Sequence, residues 1–169
     1  MIQKPMFSPQ TEWLPPESFP DLSKHDEIAI DLETKDPELK TMGSGSVTGR
    51  GKIVGIALAV DNWSGYYPIA HEGGGNMDEK MVMNYFKNVL NLPARKIFHN
   101  AMYDVCFIKA AGLKINGQIV DTMIAGSLVD ENRFRYDLGS MGRDYLGRGK
   151  NEAVLNETAA LWGVDPKSE

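Results

Sequence analysis

Apolar residues along this chain recur with two periods, one of two residues and one near 3.6, and the switches between them mark out strands and helices. Ile28-Ala29-Ile30 runs straight into Asp31-Leu32-Glu33, which predicts a first strand over Glu27–Glu33 ending on two carboxylates. Ile53–Val60 is a nearly continuous apolar run rich in β-branched residues and predicts a central strand. Asn62–Gly65 reads as a turn, and Tyr66–Ala70 as a third strand antiparallel to the second. Asn76 stands three residues before Glu79, an Asn variant of a capping box, and Met81, Val82, Tyr85, Phe86, Val89 and Leu90 follow as one helical stripe. That stripe reads as core rather than as a cofactor site, and Pro93 lies just past its end. Lys96–His99 predicts a short strand, and the helix after it stops at Gly112. A fifth short strand is expected at Ile119–Val120, with a helix opened by Asp121. Further helical patterns cover Leu138–Leu146 and, more weakly, Glu152–Trp162. The fold class is therefore α/β: a mixed sheet that begins with an antiparallel hairpin and is flanked by helices.

Two stretches have no period. Residues 1–24 hold Pro5, Pro9, Pro15, Pro16 and Pro20, and no regular element survives that density. They read as an extended arm whose aromatics, Trp13 and Phe19, pack on a domain formed by residues 25–169. Between Lys35 and Lys52 the chain is polar and glycine-rich, which predicts a flexible hairpin connection. A phosphate-binding loop is excluded there. Its pattern needs Gly where Ser46 stands and Ser or Thr where Ile53 stands, and a helix where a strand follows.

Composition narrows the function classes. Hydrophobic residues at 42% and charged ones at 24% are ordinary for a globular domain. Cys106 is the single cysteine, so an internal disulfide and a cysteine metal cluster are both excluded, and a reducing, cytoplasmic setting fits best. No apolar run approaches the ~20 residues that span a bilayer, so no membrane partner is expected. A net charge of −5 argues against a broad footprint on duplex nucleic acid. It leaves room for a site that grips phosphates through metal ions, because such a site is itself built from carboxylates.

Asp31 and Glu33 are two residues apart and project from the same face of a strand. Side by side at the edge of a core, they call for a neutralising cation, and an all-oxygen pair suits Mg²⁺ or Mn²⁺ better than zinc. A solvated acidic strand end is the alternative. Asp104 is a third carboxylate of interest, in the first turn of a helix where the dipole favours an anion.

The order of these motifs carries a resemblance. Asp31-Leu32-Glu33-Thr34 after a buried strand, a hairpin, a helix and then His99-Asn100-Ala101-Met102-Tyr103-Asp104 resembles the first two motifs of the DEDD 3′–5′ exonucleases. More narrowly, it resembles the proofreading domain of family A DNA polymerases of bacterial and phage type. Tyr67-Pro68-Ile69-Ala70-His71, Val120–Ala125 and Asp137–Met141 agree with the same family. The resemblance covers about residues 27–148 and implies an RNase H-like fold with two-metal-ion hydrolysis of a single-stranded DNA 3′ end. On that basis Asp31 bridges two divalent ions, Glu33 holds the one that activates water and Asp104 serves the other. Asn100, Tyr103 and Thr34 contact the terminal nucleotides, and a polymerase domain is expected C-terminal to this one. Asp121 reads as a helix N-cap, with a place among the catalytic acids as the alternative, while His71 and His99 read as structural. The family's third motif, Tyr or His followed four residues later by Asp, has no counterpart after Asp104: Tyr136 and Tyr145 meet Ser140 and Gly149 at that spacing. The chain is thus expected to be the N-terminal part of a longer protein, with impaired hydrolysis by itself. A non-catalytic nucleic-acid-binding or structural module, and a stand-alone RNase-type exonuclease, are the other readings.

Overall fold

The computed structural model describes residues 14–72, 74–149 and 153–163. In chain order the elements are β1 (Glu27–Lys35), α1 (Leu39–Met42), α2 (Gly45–Thr48), β2 (Lys52–Val60), β3 (Trp63–Pro68) and α3 (Glu79–Asn91). They continue with β4 (Arg95–Phe98), α4 (Ala101–Ala110), β5 (Ile119–Asp121), α5 (Thr122–Val129), α6 (Leu138–Leu146) and α7 (Ala153–Trp162). The chain divides into two compact units at Asp121/Thr122.

The first unit holds a five-stranded mixed sheet in the order β3-β2-β1-β4-β5. The β1–β2 and β2–β3 pairs are antiparallel, and β1–β4 and β4–β5 are parallel. β2 lies inside the sheet between β3 and β1, as its apolar run predicts, and β1 is the middle strand of the five. Its period of two is complete: Ile28, Ile30 and Leu32 are buried while Asp31 and Glu33 are exposed on the other face. The β2–β3 turn is tighter than the sequence pattern predicts. Val60 pairs with Trp63, and Asn62 turns the chain at φ 64°, a left-handed conformation that Asn tolerates better than most residues. β3 therefore starts three residues earlier than expected and includes Gly65.

α3 buries Val82, Phe86, Val89 and Leu90 but leaves Met81 60% exposed, so the core stripe is narrower than the sequence suggests. Its N-cap is Asp78, whose side chain accepts from the Met81 N–H at 2.8 Å. Asn76, expected in that place, instead closes the loop after β3: Oδ1 accepts from the His71 N–H and Nδ2 donates to the His71 carbonyl. Phe19 stacks on Tyr67 with centroids 5.5 Å apart, and the Tyr85 hydroxyl donates to the Pro20 carbonyl. Residues 19–22 of the proline-rich stretch thus lie on the core, with Leu22 buried; Trp13 falls outside the described residues. Lys96 is fully buried, and its ammonium donates to the carbonyls of Leu92, Ala94 and Asn116, tying the end of α3 to the segment before β5.

Residues 36–51 do connect an antiparallel hairpin, with Lys35 paired to Lys52, but they form two short helices where the composition predicts a flexible link. Asp36, only 7% exposed, accepts from the Gly45 N–H with both carboxylate oxygens at 3.0 Å and so folds α1 and α2 into place. A side chain at Gly45 has no room, since its Cβ would lie 2.4 Å from the Gly51 nitrogen.

In the second unit, Asp137 caps α6 through the Ser140 N–H, and Gly147 ends it in a left-handed conformation. Arg133 pairs with Asp144 and lies over the Tyr145 ring. Leu128, Val129, Phe134 and Leu146 are exposed. No helix among the described residues is long and apolar enough to cross a membrane.

Candidate active site

The site is organised by the place where the β1–β4 ladder stops. Ala29 and Ile97 form its last pair; β4 then ends at Phe98 and α4 begins at Ala101. β1 runs on for six more residues. Along that edge the Leu32 N–H donates to Asp104 Oδ1 at 3.0 Å, so a side chain of α4 stands where the next strand's acceptor would be. Leu32 separates Asp31 from Glu33, so this one bond brings Asp104 to the peptide between the two other acids. Asp104 is 4% exposed. Burial pushes its carboxyl up to about 6, and the charges of Asp31 and then Glu33 push the same way against the Leu32 N–H, which favours the anion. Among the described residues no three His, Cys, Asp or Glu side chains converge into a cage for one ion.

Cross-strand register puts more chemistry on the acidic face. Asp31 pairs with Ala57, which pairs with Tyr66; Glu33 pairs with Gly55. Directly paired residues share a face, so Tyr66 lies on the side of Asp31 and Glu33. Its ring covers Gly55, where an added Cβ would fall 1.8 Å from the phenol oxygen. The hydroxyl shares a hydrogen bond with His71 Nε2. Burial, with Glu33 and Asp31 adding to it, pushes the Tyr66 phenol up to about 12, so it stays protonated beside the carboxylates. The register shifts between Glu33 and Thr34, where Val54 is the extra residue of β2, a bulge that redirects the end of β1.

Beyond that bulge Thr34 turns to the α4 side, and its hydroxyl lies 2.9 Å from the Tyr103 hydroxyl. The Tyr103 hydroxyl donates to Asp36 Oδ2 at 3.1 Å. Asn100 is exposed and left-handed, at φ 67° and ψ 52°, with no capping bond from its own side chain. That cap comes from Asp121: β4 and β5 run in register to Phe98↔Asp121, and the Asp121 carboxylate accepts from Asn100 N at 3.1 Å and Ala101 N at 2.8 Å. Asp121 thus caps α4 from a neighbouring strand end. Of the residues expected from sequence, Asp104 meets the Asp31–Glu33 segment and Thr34 meets Tyr103. Asp36 and Tyr66 were not expected. The signal for Tyr66 was Gly55, a glycine inside an apolar strand, which often marks a close approach; nothing local singles out Asp36.

A model of the 3′–5′ exonuclease family matches residues 7–169. The chain belongs to the 3′–5′ exonuclease domain family of family A DNA polymerases. It is 32% identical over 178 residues to the DNA-directed DNA polymerase of Pseudomonas phage M6, a match that takes in 99% of this chain and 26% of that protein. The exonuclease chain thus spans about a quarter of that relative's length. Among solved structures, Brucella melitensis NrnC with bound Mg²⁺ superposes with a TM-score of 0.57 at 20% identity, over 79% of this chain and 59% of that one. Escherichia coli RNase D superposes with a TM-score of 0.54 at 16% identity, over 78% and 30%. The fold is RNase H-like, as the order of motifs implied.

Proposed function

We propose that this exonuclease domain removes nucleotides from a single-stranded DNA 3′ end as the proofreading part of a DNA polymerase, with the polymerase domain C-terminal to it, in the cytoplasm. The observation that carries the site is the buried Asp104 carboxylate seated on the Leu32 N–H between Asp31 and Glu33. The donor set suits hard divalent ions: it is all oxygen, and burial first, with the charges of Asp31 and Glu33 adding to it, makes the Asp104 anion costly without a cation. Asp31, Glu33 and Asp104 would hold two such ions, Mg²⁺ or Mn²⁺, with Asp31 shared. Bound there, the ions supply charge stabilisation for the attacking and leaving oxygens of phosphodiester hydrolysis.

The protein's own residues position the substrate. The Tyr103 ring gives a terminal base a surface to stack on, and Asn100 at the exposed start of α4 offers an amide to the strand. Thr34 lines the same side. Asp121 keeps the start of α4 in place and is not assigned a catalytic role. After Asp104 these 169 residues contain no Tyr or His followed four places later by Asp. Little or no turnover is therefore expected from these residues by themselves.

The test is release of 3′ nucleotides from a labelled single strand by the polymerase-length protein with Mg²⁺ or Mn²⁺. Activity that is lost in Asp31→Ala supports the reading; unchanged cleavage in that variant refutes it.

A further inference from the structure

We propose that Asp36 is a positioning residue of the exonuclease site, holding the Tyr103 ring in one orientation toward the terminal nucleotide. The inference rests on the placement of that nucleotide beside Tyr103 proposed above. Asp36 is buried just past the end of β1, and three contacts converge on it: the Gly45 N–H on both oxygens, and the Tyr103 hydroxyl on Oδ2. A carboxylate only accepts. The Tyr103 proton therefore points at Asp36, and in the 2.9 Å contact with Thr34 it is the threonine that donates to the phenol oxygen. Both hydroxyl protons are thus committed within the protein. What Tyr103 and Thr34 offer a nucleotide is a fixed aromatic surface and acceptor lone pairs, not a mobile donor.

The ring is held from its other side as well. Phe107, one turn along α4, meets it with centroids 5.1 Å apart. Phe107 in turn leaves no space for a side chain at Gly51, where a Cβ would sit 2.9 Å from the Phe107 ring. Gly51 lies against Gly45, whose own Cβ would come 2.6 Å from Asp36 Oδ1. Asp36, the segment up to Gly51 and the Tyr103–Phe107 face of α4 form one closed block. A tyrosine free to swing would lose orientational entropy on stacking against a base; a tyrosine held by Asp36 has lost it already.

The experiment is a fluorescence-anisotropy titration of the 169-residue chain with a labelled single-stranded oligodeoxythymidylate in Mn²⁺. Thermal unfolding is recorded for every variant. Tyr103→Ala establishes that the ring is at the binding surface. Asp36→Asn keeps the size, but its single oxygen can hold the Tyr103 hydroxyl only by turning the amide group toward the Gly45 N–H, which repels it, and the variant is expected to weaken binding about fivefold. Tyr103→Phe breaks the same bond from the other side, leaves Asp36 on Gly45, and is expected to weaken it similarly. The double variant is expected to bind no worse than the weaker single, because both remove one interaction. A merely structural Asp36 would give losses that multiply. Multiplied losses, or wild-type affinity in Tyr103→Phe, would overturn the assignment even if Asp36→Asn fails to fold, while leaving the exonuclease reading in place. Wild-type affinity in Tyr103→Ala would overturn both.

Discussion

Asp104 and Asp36 are both buried carboxylates reached from β1, yet their surroundings differ in kind. Asp104 accepts the Leu32 N–H, is favoured as an anion by its own backbone N–H as well, and stands in the field of Asp31 and Glu33. Asp36 receives the Gly45 N–H on both oxygens and the Tyr103 hydroxyl besides. Burying an anion is costly unless donors or cations compensate it. Fixed donors meet that need at Asp36, and the reward is a rigid segment. At Asp104 the need stays open, for a proton or a cation to meet. Asp36 organises structure, whereas Asp104 keeps a raised proton affinity beside two further acids.

The largest test of that contrast is catalytic. In the polymerase-length protein, Asp31→Ala and Glu33→Ala are each expected to cut 3′ nucleotide release about a thousandfold, since each removes charge that holds ions contributing several kcal/mol to the transition state. Circular dichroism of both variants should match wild type, because both side chains are exposed.

Next come opposite signs in stability. An acid whose carboxyl is raised from 3.8 to about 6 on folding binds more protons folded than unfolded. In EDTA, its contribution to stability therefore falls as pH rises through that window, by up to about 3 kcal/mol. Asp104→Asn should remove that slope and make the metal-free protein more stable than wild type at pH 7, with little difference near pH 4. Asp36→Asn should instead destabilise the protein by about 2 kcal/mol at pH 7, since the Gly45 N–H and the Tyr103 hydroxyl lose a charged acceptor. Urea unfolding at several pH values reads both. Two losses of equal size would erase the distinction between the carboxylates.

The sequence exposes one of these acids and hides the other for a physical reason. Asp31, Glu33 and their strand follow from alternation, because a period of two must bury Ile28, Ile30 and Leu32 together. Asp104 follows from motif spacing, which survives without knowing any contact. Asp36 has its meaning only through Tyr103, 67 residues away, and through a glycine in a segment whose composition reads as flexible. The caps show the same limit. Asn76 and Asp78 are both plausible before α3, and tertiary closure of the loop at His71 decides between them. Asp121 caps α4 across 20 and more residues, which no window along the chain reveals.

A smaller effect is expected at the ring itself. Stacking on an aromatic side chain is worth about 1–3 kcal/mol per base. Tyr103→Ala should lower single-strand affinity within that range and leave duplex binding, expected to be weak, nearly unchanged in the same titration.

The central claim, that Asp31, Glu33 and Asp104 form a divalent-ion site, is tested most directly by Mn²⁺ binding to the 169-residue chain, followed by electron paramagnetic resonance of the free ion. Saturable binding that weakens at least about tenfold in Asp31→Asn, and likewise in Asp104→Asn, is the predicted result. Binding that is unchanged in both variants would place the ion elsewhere and contradict the account.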